Sequence, residues 1–164
     1  MSGELSLHNR QRTRAVDLRM LRRMANTLLI ELLAADNFEL GIHLVATTKM
    51  TRLNQFFLHH AGSTDVITFD HREEDLRFAI SDSRLHGEVF ICIDEAINQS
   101  RKYRTSWQSE LVRYLVHGLL HLQGFDDSRS AARRKMKREE NRLLRKLARR
   151  FALSKLARTP KVLA

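Results

Sequence analysis

Between Thr105 and Asp127 the chain carries a segment that belongs in an interior. Leu111, Val112, Tyr114, Leu115, Val116, Leu119, Leu120 and Leu122 form a helix-length run that is apolar on nearly every side, so the helix should be buried. Thr105 followed by Gln108 resembles a capping box at its start. Set into the run are His117 and His121, four apart and therefore on one face, one turn above the other. Gly124 follows three residues later, where a left-handed conformation stops a helix and swings the chain back.

The flanking sequence says what surrounds this helix. Arg14–Ala34 reads as an amphipathic helix, with Leu18, Leu21, Ala25, Leu28 and Leu32 at three- and four-residue steps. Leu40–Ala46 reads as a strand and Thr47–Leu58 as a helix with Met50, Leu53 and Phe57 on one side. Val66–Phe69 and Val89–Ile93 are short β-branched or aromatic runs, and the second is apolar throughout, as a strand covered on both faces would be. The polar stretch Asp70–His86 between them reads as a loop or irregular connection. Interleaved helices and strands predict an α/β layered fold, and 164 residues suit one compact domain.

Charge divides the chain. Residues 1–130 hold 16 Lys and Arg against 17 Asp and Glu, whereas residues 131–164 hold 13 against 2. Such a block points to a polyanionic partner (RNA, DNA or an anionic membrane), the alternative being a solvated face that only aids solubility. Met136, Leu143, Leu144, Leu147 and Phe151 form an apolar stripe, so Arg133–Phe151 is predicted to be a docked helix with its cations outward. The chain therefore reads as one domain, residues 1–130, which holds the histidine pair, followed by 131–164, a basic helix and tail packed on it or extending from it. Chain beyond Arg150 is expected to be dispensable for folding, because the stripe is spared through Leu147. With Cys92 as the sole cysteine, neither an internal disulfide nor a zinc finger is available, and no apolar run reaches the length of a membrane span. The start of the sequence shows no secretory pattern, so a cytoplasmic setting is expected.

A lone histidine on an apolar face is usually a satisfied core residue. Two at i and i+4 on so apolar a helix, followed by Gly124 and the pair Asp126–Asp127, point instead to a metal held by His117, His121 and Asp127. Three protein ligands with an open fourth position form the catalytic zinc pattern. The spacing also matches the long zincin motif, but Gly118 stands where those proteases carry their general-base Glu, which counts against a peptidase.

His117-Gly118-Leu119-Leu120-His121-Leu122-Gln123-Gly124-Phe125-Asp126-Asp127 closely resembles the signature of the YbeY family of ribosomal RNA maturation endoribonucleases. Leu53-Asn54, Thr64-Asp65-Val66-Ile67-Thr68-Phe69 and Gly87-Glu88-Val89-Phe90-Ile91-Cys92-Ile93 follow the family order, and the likeness runs from about Glu4 to Arg145. It implies a mixed four-stranded sheet flanked by helices, one zinc ion, and hydrolysis of single-stranded RNA during ribosome maturation. Ribosomal RNA or ribosomal subunits are then the expected partners, with neither DNA nor membrane. Arg133, Arg134, Lys135, Lys137 and Arg138 would hold the RNA backbone through contacts that carry no sequence information. Two positions depart from the family. Asp127 stands at its third His, and Leu58 at an Arg that faces the phosphate; His59, or His60 beside it, is the candidate to supply a cation, the favoured reading of both being plain loop residues. The rival readings are a non-catalytic RNA- or ribosome-binding factor with structural zinc and, less favoured, a metallopeptidase.

Overall fold

The computed structural model describes residues 2–72 and 84–158. Pro160, Lys161 and the greater part of the Asp70–His86 connection lie outside the described residues. Four strands, β1 (Ser2–Asn9), β2 (Asn37–Val45), β3 (Val66–Asp70) and β4 (Leu85–Cys92), form one mixed sheet in the order β1-β2-β4-β3. β1, β2 and β4 run parallel, and β3 pairs antiparallel with β4, Asp70 facing Gly87 and Val66 facing Ile91. Five α-helices accompany them, namely α1 (Leu18–Asn26), α2 (Thr47–Leu58), α3 (Ile93–Tyr103), α4 (Trp107–Leu122) and α5 (Ser130–Arg150). The α/β layering and the mixed four-stranded sheet expected from the sequence are both present.

Alternation along the strands sorts the sheet into two faces. Leu40, Ile42, Leu44, Leu85, Val89 and Ile91 point to the face covered by Leu21, Met24 and Leu28 and by Leu111, Leu115 and Leu119 of α4. On the opposite face Val45, Ile67 and Cys92 meet Met50 and Leu53 of α2. α4 is thus enclosed between the sheet and α5, whose Met136, Leu143 and Leu147 belong to the same core. The run that is apolar on all sides has a partner on each.

Several boundaries differ from the sequence reading, each for a local reason. Asp17 accepts from the Met20 N–H and starts the first helix at Leu18 rather than Arg14. Chain ahead of it is held extended by the bridge from Val16 to Ala157. From Thr27 to Leu32 the helix loosens to a π turn, with Leu33 N–H reaching Leu28 O. At α4 the cap is Ser106, which accepts from Ser109 N–H, while the Thr105 hydroxyl donates to Glu110. β4 begins four residues before Val89, because pairing with β2 recruits Leu85–Glu88 despite their mixed polarity.

The tail beyond Arg150 is a correction. A 3-10 turn, Leu153–Leu156, places Leu156 fully inside the core, and Arg158 N–H bonds to Ala15 O. Truncation there removes a core side chain and the bridge to Val16, so this segment is part of the fold rather than an appendage.

Candidate metal centre

Local sequence builds the site. α4 ends at Leu122, and Gly124 takes φ +102°, a conformation that suits glycine. Gly124 N–H returns to His121 O and Phe125 N–H to Leu120 O, a Schellman closure. The turn brings Asp127 back over the last turn of α4. The side-chain donors of His117, His121 and Asp127 then lie within 4.8 Å of one another. The two Nε2 atoms are 3.0 Å apart, and Asp127 Oδ2 is 3.7 Å from that of His117 and 3.4 Å from that of His121.

The protons on these rings follow from their other nitrogens. His121 Nδ1 lies 3.1 Å from Phe125 O, a carbonyl that can only accept, so Nδ1 carries the hydrogen. His117 Nδ1 lies 2.9 Å from Glu140 Oε2 and donates to it in the same way. In the neutral rings both Nε2 atoms are therefore bare lone pairs, aimed at each other and at a carboxylate. Three acceptors converging with no donor among them repel unless a cation lies between, and the donor set fits a divalent metal.

Glu140 is the support that sequence reasoning missed. It comes from α5, is 3% exposed, and also receives Arg113 Nη1 at 2.8 Å and Lys137 Nζ at 3.3 Å. Burial alone would raise its pKa, but the hydrogen bonds from His117 and Arg113 and the Lys137 charge bring it down to about 2. It is a carboxylate at any working pH. A signal was present, since Glu140 falls on the stripe of Met136, Leu143 and Leu147, where an acid has no packing reason to be.

Asp126 is otherwise engaged, accepting from Ser128 N–H at 2.9 Å and Ser128 Oγ at 2.5 Å. Those bonds, the hydroxyl's first, hold its carboxyl below the usual range. Gly118 has its own physical reason. A Cβ there would stand 2.7 Å from Val89 Cγ1 and 3.3 Å from Thr68 Cγ2, so α4 touches the sheet at this point and no zincin-type glutamate could be housed. Gly118→Ala should cost about 1–3 kcal/mol of overpacking, to be read from denaturant midpoints, although alanine is the better helix former.

Beside the triad lies a cleft of about 310 Å³, bordered by His117, Asp127, Arg113, Arg133, Lys137 and Glu140. Asp65, Gln99 and Tyr103 border it elsewhere. The buried Tyr114 hydroxyl, also at this cleft, has no hydrogen-bond partner among the described residues; burial first, then the charges of Asp65 and Glu110, push its pKa up and keep it neutral. The five basic residues singled out on α5 are all exposed but do not share one surface. Arg133 and Lys137 border the cleft, Lys135 and Arg138 border a second groove with Arg142 and Arg145, and Arg134 lines neither. Arg133 also reaches Asp127 O at 3.2 Å. His59 closes α2 in a left-handed conformation, is exposed, and is not among the residues bordering the cleft. Leu58 is 43% exposed, next to Phe56 and Phe57.

The chain is similar over most of its length to one group of proteins. The family model described as Endoribonuclease YbeY matches residues 6–148. A Chlorobium luteolum protein named Endoribonuclease YbeY is 30% identical over 146 residues, spanning 89% of this chain and 99% of the relative. One of the same name from Salinibacter ruber is 38% identical over 106 residues, 64% of this chain and 68% of the relative. The solution structure of a Thermotoga maritima protein shares the fold at a TM-score of 0.62 and 19% identity, covering 98% of this chain and 99% of that one. With the histidine pair, its carboxylate and the mixed sheet in place, the chain belongs to the endoribonuclease YbeY family.

Proposed function

We propose that this protein is a zinc-dependent endoribonuclease that cuts single-stranded RNA in the maturation of ribosomal RNA, with His117, His121 and Asp127 as its ligands. The observation that carries the reading is that the three convergent, donor-free ligand atoms stand beside one cleft, which His117 and Asp127 border together with the cations of Arg113, Arg133 and Lys137. The name shared by the relatives supplies the reaction class. When bound, zinc would supply Lewis acidity at the phosphoryl group and a water that ionises near neutral pH.

The chain's own residues do the rest. Glu140 and the Phe125 carbonyl fix the two imidazoles as Nδ1–H tautomers and hold their orientation. Arg133 and Lys137, one helical turn apart, offer positive charge where a bridging phosphate would enter. Arg113 is held by Glu140 and Asn141, at 2.8 and 2.9 Å, and keeps the cleft wall cationic without swinging into solvent. Asp127 is the most open of the three, its side chain 47% exposed, so a coordination position faces solvent, which supports a catalytic over a closed structural site. No role falls to His59 in this reading.

Ribosomal RNA or subunits are the proposed partners and the cytoplasm the proposed setting. Among the described residues no helix is long and apolar enough to cross a membrane. The test is cleavage of a single-stranded RNA by the purified protein, which a chelator should abolish and zinc restore. Replacing Arg133, Arg134, Lys135, Lys137 and Arg138 with glutamine should flatten the dependence of log affinity on log salt by roughly 0.7 for each phosphate no longer neutralised. Zinc content should not change. Intact RNA after incubation with stoichiometric zinc-loaded protein would overturn the reading.

A further inference from the structure

Gln99 and Tyr103 stand four apart on α3, hence on one face, and both border the cleft that holds His117 and Asp127. Tyr103 is 61% exposed, a large ring left in water at the wall of a polar cleft. The fold fixes the backbone that carries that ring. α3 stops at Tyr103 because Arg104 turns left-handed at φ 54°, and the N–H groups of Arg104 and Thr105 both return to the carbonyl of buried Ser100. A non-glycine residue held in this region costs energy, so the surroundings specify this turn and the backbone position from which the ring projects. The Lys102 ammonium lies 5.4 Å from the ring centroid. The cleft is therefore bordered both by cations that suit a phosphate and, from α3, by an aromatic ring and an amide whose partner would be flat and polar-edged.

We propose, on the ribonuclease reading above, that Tyr103 and Gln99 form a nucleobase subsite. Tyr103 stacks on one unpaired base next to the scissile phosphate, and the Gln99 carboxamide bonds that base along its edge. An amide offers both donors and an acceptor, so the subsite tolerates more than one base. A base that stacks there has left any duplex, so the same contact favours single strands over paired RNA. The roughly 310 Å³ of the cleft lies at the lower end of the range for small-ligand pockets, enough for one nucleotide unit.

The test uses zinc-loaded full-length protein and a single-stranded oligonucleotide with one principal cut. Tyr103→Phe should behave as wild type, whereas Tyr103→Ala should raise KM about tenfold. Zinc content and kcat should stay close to wild type. Replacing nucleotides one at a time with abasic sites should reveal one position beside the cut where wild type is impaired by the same factor and Tyr103→Ala is impaired no further. Gln99→Ala should instead shift the preference among bases at that position. If wild type cuts RNA and Tyr103→Ala leaves KM unchanged, or if each abasic site affects both proteins equally, the subsite is wrong while the ribonuclease reading stands. If wild type cuts no RNA, that reading fails and takes the subsite with it.

Discussion

Alanine at His121 should strip the protein of its metal and reduce RNA cleavage by more than the roughly 10- to 100-fold that losing a mere supporting partner costs. The fold should persist, because the side chain is 26% exposed and donates only to the Phe125 carbonyl beyond the site. Asp127→Ala should lose most of the metal and Asp126→Ala little, since Asp126 spends its oxygens on Ser128. Asp127→His should keep both metal and cleavage, because an imidazole is as good a zinc ligand as a carboxylate. Metal analysis of the four proteins, with cleavage run alongside, decides the ligand set. Equal loss in Asp126→Ala and Asp127→Ala would refute it.

Glu140→Ala is expected to be the most damaging single change at the site. It removes the acceptor for His117 and leaves Arg113 and Lys137 facing a buried gap, a loss of about 3–5 kcal/mol. Glu140→Gln keeps the shape and should cost less stability, yet lower metal affinity about 10- to 100-fold. The pH dependence follows from the depressed pKa. The carboxylate's contribution is fully present above the unfolded value near 4.5 and is lost as pH falls toward about 2. The stability gap between wild type and Glu140→Gln should therefore close across that window in denaturation experiments. A gap that is the same at pH 2 and pH 6 would mean the charge of Glu140 is not what stabilises the site.

Much of the site was legible because its spacing is local. His117, His121, Gly124 and Asp127 fall within one helix end and one turn, where 3.6-residue periodicity and the left-handed preference of glycine suffice. Thr47–Leu58 was legible to the residue for the same reason. What escaped was set by distant partners. Glu140 lies 23 residues from the histidine it orients, and only its place on an apolar stripe hinted at a use. Gly118 read as a missing base, whereas its small size is required by Val89 and Thr68 of the sheet. Leu156 and Ala157 looked like tail because their partners, Asp17 and Val16, stand at the other end of the chain. Tyr103 and Gln99 lie on a helix that the sequence reading did not single out, and only tertiary packing sets them opposite the metal ligands.

The closing strap from Leu153 to Arg158, pinned against Ala15, Val16 and Asp17, also orders events during synthesis. A nascent chain that has emerged only as far as Asp127 already carries every ligand atom but neither Glu140 nor Leu156. Its His117 ring lacks the carboxylate that orients it, and α4 is open on the side that α5 will cover. On the ribonuclease reading, a fully supported ligand set is then among the last features the folding chain acquires, after α5 and the strap have packed.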